Sequence, residues 1–135
     1  MPPNRAEDRL AQLSAARERA AARRAEKEAE LEQSIRSLAR LVHSVDPIRR
    51  QVFWSAETVE TLAARQDWKC PQCQKRLAPL GAQQHHVDHV VPWILGGGNE
   101  LSNIQILHEW CNLAKGRRCD YDMVIENLDD RIRNL

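Results

Sequence analysis

The chain has 135 residues and a formal net charge of +1 at neutral pH, so neither its size nor its charge alone indicates a nucleic-acid-binding protein. Its few aromatic residues predict a small core that needs an additional constraint. No apolar run is long enough to span a membrane, and the N-terminus lacks the apolar segment of a signal peptide. We therefore expect a cytoplasmic protein of one domain with an extension, whose cysteines bind metal rather than form disulfides.

The first predicted element is a charged helix over residues 1–45, because residues 5–45 contain no Gly or Pro and are rich in Ala, Arg, Glu and Leu. Apolar side chains in its second half recur with the 4-3-4-3 spacing of a coiled-coil seam: Leu31, Ile35, Leu38, Val42 and Val45. This seam predicts a homodimer or a partner protein bound through the helix. The alternative is a solvated helix held by charge pairs four residues apart.

Residues 46–66 are predicted to form a helical connector. Asp46 and Pro47 are the residue types of an N-cap and of a first helical position, so a short helical segment is expected from there to Trp54. Ser55 is the expected cap of a second helix. The apolar side of that helix is formed by Val59, Leu62 and Ala63.

The remainder of the chain predicts a small mixed domain. Residues 82–92 and 103–107 are predicted strands, and a glycine-rich loop joins them. A short helix follows over residues 109–116. Residues 120–135 are predicted to form a final helix with Asp120 as its cap.

Two pairs of metal-binding side chains share one spacing. Cys70 and Cys73 form a C-x-x-C pair, and His108 and Cys111 repeat the three-residue offset. A Cys₃His set is a common ligand set of structural zinc, and two matched pairs are a far stronger signal than a lone C-x-x-C, which redox motifs share. We therefore expect one structural Zn²⁺, with Cys119 as the reserve ligand should His108 not bind.

The stretch HHVDHVVP at residues 85–92 carries an unusual concentration of polar groups for a predicted strand. Strand alternation points His86 and Asp88 to one face and His89 to the other. Such groups are costly to bury unless they bind something, so this stretch is a candidate site.

The motifs over residues 66–118 follow one another closely: a C-P-Q-C knuckle, the string D-H-V-V-P, a Gly-Gly loop, L-S-N, and C-N-L-A-K-G. In this order they resemble the HNH endonuclease family, in its zinc-containing H-N-N variant. His108 stands where the family usually has cysteine, and Asn112 stands where the family name expects a second histidine. The resemblance implies an α+β fold: a ββα-metal HNH core over residues 67–119, stapled by a structural zinc, preceded by the long N-terminal helix and followed by a C-terminal helix over residues 120–135.

The resemblance also implies roles for individual residues. Asp88 and Asn112 would hold a catalytic divalent cation, Mg²⁺ or Mn²⁺, for which oxygen ligands are suitable. His89 would be the general base that activates water, and Asn103 would fix the loop that orients His89. His86 is an additional candidate for binding the metal or the phosphate.

The expected function is therefore a metal-dependent DNA endonuclease that hydrolyses phosphodiester bonds, leaving 3′-hydroxyl and 5′-phosphate ends. The alternative is a catalytically inactive, zinc-stapled DNA- or protein-binding module. An intact set of catalytic residues favours the enzyme, since an inactive protein has no need of all of them: Asp88, His89, Asn103 and Asn112.

Basic residues near the site are expected to contact DNA phosphates without reading the base sequence. They are Lys115, Arg117 and Arg118 after the short helix, and Lys69, Lys75 and Arg76 around the knuckle. Trp93 is expected either to contact DNA bases or to pack in the core. We expect His43 and His85 on the surface.

Overall fold

The computed structural model describes residues 5–79, 85–116 and 118–135. The helices in these ranges are α1 (Arg5–Val45), α2 (Ala56–Arg65), α3 (Glu109–Lys115) and α4 (Tyr121–Arg133). The strands β1 (His85–His89) and β2 (Ile104–His108) form a two-stranded antiparallel sheet. The predicted α+β architecture is confirmed: a long N-terminal helix, a ββα unit and a C-terminal helix. No helix in the described ranges combines the length and apolarity needed to cross a membrane.

The chain divides into two compact units, Met1–Ile35 and Arg36–Leu135. The part of α1 in the first unit is a solvated helix, whose side chains are almost all exposed. Arg24 and Glu28 form an ion pair there, at 3.2 Å and one helical turn apart. Such a pair stabilises an exposed helix by only a few tenths of a kcal/mol, so it supports the helix without defining a core.

The part of α1 in the second unit buries only a fraction of the predicted seam. Val42 is buried, whereas Leu38 and Val45 are exposed. Ala39, which the seam did not include, is also buried. The face that α1 buries within this unit therefore differs from the seam, and pairing of α1 with another chain stays a prediction.

Residues 46–55, which we call the connector, are not helical, and the predicted helix start at Asp46 and Pro47 is therefore wrong. The indole nitrogen of Trp93 donates to the carbonyl of Ile48 at 2.9 Å. The side-chain amide of Asn99 donates to the carbonyl of Arg49 at 2.7 Å. A helix would need these carbonyls for its own N–H groups, so tertiary contacts override the local signal.

α2 begins where the sequence predicted, because Ser55 Oγ accepts a hydrogen bond from the backbone N–H of Thr58. Beyond its end, the side chain of Gln66 pairs with both backbone groups of Ile106 in β2. Gln66 Nε2 donates to the carbonyl at 3.0 Å, and its Oε1 accepts from the N–H at 2.8 Å. The side-chain amide thus takes the place of a third strand on the free edge of β2.

The sheet is short and fully paired. His85 lies opposite His108, and His89 lies opposite Ile104. β2 agrees with its prediction to within one residue, and β1 lies inside the predicted strand, whose residues 82–84 fall outside the described ranges. The main core cluster is formed by side chains of this sheet, of α2, of α3 and of the segment around the knuckle. Its members are Leu62, Ala63, Cys70, Leu77, Ile104, Ile106, Leu107 and Cys111.

The loop between the strands packs against α4, whose predicted cap at Asp120 is confirmed by a bond from the Asp122 N–H at 2.9 Å. Leu128 of α4 is buried beside Gly96, which has a φ of +96°. At Gly97 an added Cβ would lie 1.7 Å from the carbonyl oxygen of Val91. Only glycine allows this close approach, which brings the loop back to the end of β1.

Candidate functional site

The four predicted zinc ligands converge on one point. The ligand atoms of Cys70, Cys73, His108 and Cys111 all lie within 4.8 Å of one another. His108 Nδ1 lies 3.3 Å from Cys73 Sγ and 3.8 Å from Cys111 Sγ. Within the described ranges this is the one group of three or more His, Cys, Asp or Glu side chains that could hold a metal ion, and Cys119 is not part of it.

The orientation of His108 suits a metal ligand. Its Nε2 lies 3.1 Å from the carbonyl oxygen of Arg76, so Nε2 carries the proton and donates it. The Nδ1 lone pair is then directed at the thiols. Trp110 stacks on the imidazole with ring centroids 4.4 Å apart. A metal-binding histidine commonly donates its other ring N–H to a carbonyl in this way, which fixes both tautomer and ring.

Electrostatics in the cluster favour a bound cation. Burial raises the pKa of Cys70, but backbone N–H groups of His108, Cys73 and Gln72 donate to its sulfur and lower the pKa to about 7. Burial and the neighbouring cysteines raise the pKa of Cys111 to about 12. A second thiolate is therefore unfavourable here unless a positive charge compensates it. Three sulfurs and one imidazole nitrogen are a donor set that fits Zn²⁺.

Asp88 forms an ion pair with a buried lysine at the junction of β1 and α3. Lys115 Nζ donates to Asp88 Oδ2 and, at 3.1 Å, to the backbone carbonyl of His89. Gln105, opposite Asp88 in the sheet, donates to the same Oδ2 at 2.9 Å. The side chain of Lys115 is only 6% exposed. Lys115 is therefore a buried partner of Asp88, whereas the sequence predicted an exposed lysine that contacts DNA phosphate.

Asn112 lies one helical turn before Lys115 on α3 and faces His86 of β1. Asn112 Nδ2 lies 2.8 Å from His86 Nδ1 and donates to it. His86 is thus a partner of Asn112, and this bond holds the Asn112 side-chain amide in one orientation. Among the described residues no group donates to Asn112 Oδ1, so this oxygen is available to a cation.

His89 is the last residue of β1 and is oriented by Asn99. His89 Nε2 lies 2.8 Å from Asn99 Oδ1. Because Asn99 Nδ2 donates to the carbonyl of Arg49, its Oδ1 must face the histidine as an acceptor. The histidine proton therefore lies on Nε2, and Nδ1 keeps its lone pair. Sequence reasoning missed Asn99, whose place after three glycines is also typical of an ordinary turn residue.

Asn103 ties the two ends of the loop together. Its Oδ1 accepts from the Val91 N–H at 2.8 Å, and its Nδ2 donates to the carbonyls of Val91 and Gly98 at 3.1 and 2.8 Å. These three bonds hold the chain immediately after His89.

Asp88 and His89 line one cleft although strand alternation predicts opposite faces. His89 ends β1, and the chain turns from there through Pro92 to Trp93, which also line the cleft. Gly116 and Arg50 complete the described lining together with Val87 and Ile94. Arg50 belongs to the connector, and no sequence motif marked it.

Trp93 and His43 are both half-buried, whereas His43 was predicted to lie on the surface. The two rings stack with centroids 4.3 Å apart, and His43 Nε2 donates to the Trp93 carbonyl at 2.8 Å. Arg131 of α4 donates to His43 Nδ1 at 3.2 Å. His85 is likewise half-buried, with Nε2 at 2.6 Å from the carbonyl oxygen of Ala78. Hydrogen bonds to the backbone carbonyls of Trp93 and Ala78 account for both differences.

The other predicted DNA contacts have varied surroundings. Lys69, Lys75 and Arg76 are exposed around the knuckle. The guanidinium of Arg118 donates to the carbonyl of Ala114 at 2.6 Å and so caps the C-terminus of α3. Arg117 lies outside the described residues.

Comparison with known proteins gives one match. Residues 70–118 match the family model described as HNH endonuclease, so the match begins at the first cysteine of the Cys₃His cluster and ends just after α3. No match was found among curated proteins or among solved structures.

Proposed function

Residues 70–118 of the chain form an HNH endonuclease domain, and we propose that this domain hydrolyses phosphodiester bonds in DNA with a divalent cation. The observation that carries the proposal is that Asp88 and His89 both line one cleft, while Asn99 fixes the orientation of the His89 imidazole. The bound cation and the water that the base activates must both reach one phosphate, and this arrangement permits it.

His89 acts as the general base in this proposal. Its Nε2–H is held by Asn99, so the Nδ1 lone pair takes a proton from a water molecule as that water attacks the phosphorus in line. The bond from phosphorus to the 3′ oxygen breaks and that oxygen takes a proton from solvent water, which leaves a 3′-hydroxyl and a 5′-phosphate. Asn103 supports the reaction by holding the backbone that follows His89.

Asp88 and Asn112 hold the catalytic cation in this proposal, with Mg²⁺ and Mn²⁺ as the candidates. When bound, such an ion supplies positive charge that stabilises the phosphate and the leaving oxygen. Lys115 supports the assignment, because an ammonium group already binds the Asp88 carboxylate and a backbone carbonyl at this point. His86 positions the Asn112 amide rather than binding the ion itself.

The Cys₃His cluster holds a structural Zn²⁺ in this proposal. Its ligands come from the knuckle, from the end of β2 and from α3, so one ion joins all three. Lys69, Lys75 and Arg76 stay exposed around the knuckle and are candidates for phosphate contacts.

The proposal is tested by incubating the protein with supercoiled plasmid in Mg²⁺, in Mn²⁺ or in a chelator. We expect nicked and linear products with a divalent ion and none with the chelator. Asp88→Asn is a matched control, because it removes the charge and keeps the shape. A wild-type protein that binds DNA but does not cleave it with either ion would instead support the inactive binding module.

Replacing Lys115 by methionine should destabilise the ion-free protein and strengthen its response to Mn²⁺. Removing one partner of a buried ion pair leaves Asp88 uncompensated, at a cost of roughly 3 kcal/mol. A divalent ion can restore the missing charge, so Mn²⁺ should raise the melting temperature of Lys115→Met more than that of wild type. The double variant Lys115→Met with Asp88→Asn should lose this extra response. An equal Mn²⁺ response in Lys115→Met and wild type would contradict the assignment of Asp88.

A further inference from the structure

The connector is fixed against the loop that follows β1. Trp93 binds the carbonyl of Ile48, and Asn99 binds the carbonyl of Arg49, at 2.9 and 2.7 Å. Two successive backbone carbonyls are thus held by side chains of that loop. The backbone of Arg50, the next residue, is therefore held in position beside the cleft.

Arg50 brings a positive charge to the same cleft as Asp88 and His89. Its guanidinium carbon lies 5.2 Å from the centroid of the Trp93 ring, a distance typical of a cation–π contact. Within the described ranges no acidic side chain forms an ion pair with Arg50. Lys115, by contrast, has its charge compensated by Asp88. Arg50 is thus the uncompensated cation of the described cleft lining.

We propose that Arg50 binds a non-bridging oxygen of the phosphate that is cleaved. The inference rests on the proposed nuclease function and adds a substrate-binding residue from outside the matched residues 70–118. A guanidinium donates two parallel N–H bonds to a phosphate, and the Trp93 ring limits the orientations it must lose on binding. Its charge also stabilises the negative charge that develops on the phosphate during attack.

This contact selects for a phosphodiester and carries no information on base sequence. Arg50 shares its segment with the carbonyl that holds Asn99, and Asn99 in turn holds His89. The connector thus supplies the phosphate contact and, through Asn99, helps to orient the base.

The test compares Arg50→Ala, Arg50→Lys and Arg40→Ala in single-turnover cleavage of an end-labelled DNA duplex with Mg²⁺ or Mn²⁺. Arg40→Ala removes the same charge from an exposed residue of α1 that is not part of the described cleft lining. We expect Arg50→Ala to lower the rate constant at saturating protein by about 10- to 100-fold, Arg50→Lys to be intermediate, and Arg40→Ala to change it only slightly. Millimolar guanidinium should partly restore Arg50→Ala and leave Arg40→Ala unchanged.

The outcomes separate the inference from the function on which it rests. A wild-type protein that never cleaves overturns the nuclease proposal and, with it, the role of Arg50. A wild-type protein that cleaves while Arg50→Ala matches Arg40→Ala overturns the role of Arg50 alone. Unchanged melting temperatures in all variants exclude loss of folding as the cause of a slower rate.

Discussion

Replacing His89 by alanine should slow DNA cleavage by about 10²- to 10⁴-fold, the usual contribution of a general base. The side chain is half-buried at the end of β1, and its side-chain hydrogen bond goes to Asn99. Its loss leaves both the Cys₃His cluster and the pair of Asp88 with Lys115 in place. Melting temperature and DNA affinity should therefore stay close to wild type, and all three quantities are measured on the same preparations.

His85→Ala is the matched control for His89→Ala, since it removes an imidazole from the other end of the same strand, outside the described cleft lining. This variant should keep most of the cleavage activity. Asp88→Ala should lose cleavage through the cation instead, so added Mn²⁺ should rescue it slightly. Cleavage by His89→Ala at the wild-type rate would show that another group is the base.

Replacing Cys73 by serine should abolish zinc binding and unfold residues 67–118. Structural zinc contributes apparent binding free energies of about 10–16 kcal/mol in zinc-finger peptides, and that energy is folding energy. Here Cys70 and Cys111 are themselves part of the main core cluster, so loss of the ion also disrupts the core. Metal analysis should find one zinc per wild-type chain and none in Cys73→Ser, and circular dichroism should show the loss of structure.

Cys119→Ser makes the same chemical change outside the cluster and should keep both zinc and melting temperature. Because protons compete with the metal for three sulfurs, zinc affinity should fall as the pH is lowered. Well-folded wild-type protein without zinc would refute the structural role of the cluster. A Cys119→Ser protein that loses its zinc would instead identify Cys119 as a ligand.

The sequence predicted a structural feature correctly where the contacts that form the feature join residues close together in the chain. Ser55 and Asp120 cap their helices because each side chain bonds to an N–H within three residues. The Cys₃His cluster could also be predicted, since a fixed three-residue spacing brings each pair of residues together before the two pairs meet. The strands followed from the β-branched residues that they contain, such as Val87 and Ile104, and from the glycine-rich loop between them.

Partners far apart in sequence explain what could not be predicted. Lys115 and Asp88 are 27 positions apart, so nothing in the sequence near Lys115 showed that it is buried rather than exposed. Asn99 and Arg49 are 50 positions apart, and their bond exists only once the connector meets the loop. The same contact keeps the connector from becoming helical and places Arg50 beside the cleft.

Cys111 and Asn112 are consecutive residues of α3, yet one belongs to the Cys₃His cluster and the other binds His86 of β1. α3 has only seven residues, and helices this short do not persist alone in water. The amide of Asn112 is therefore held in place only while the neighbouring sulfur is held. In kinetic terms, we expect the rate at which the proposed structural ion dissociates to set the lifetime of the proposed active centre. A chelator that competes for zinc should then inactivate the protein irrespective of how much Mg²⁺ is supplied.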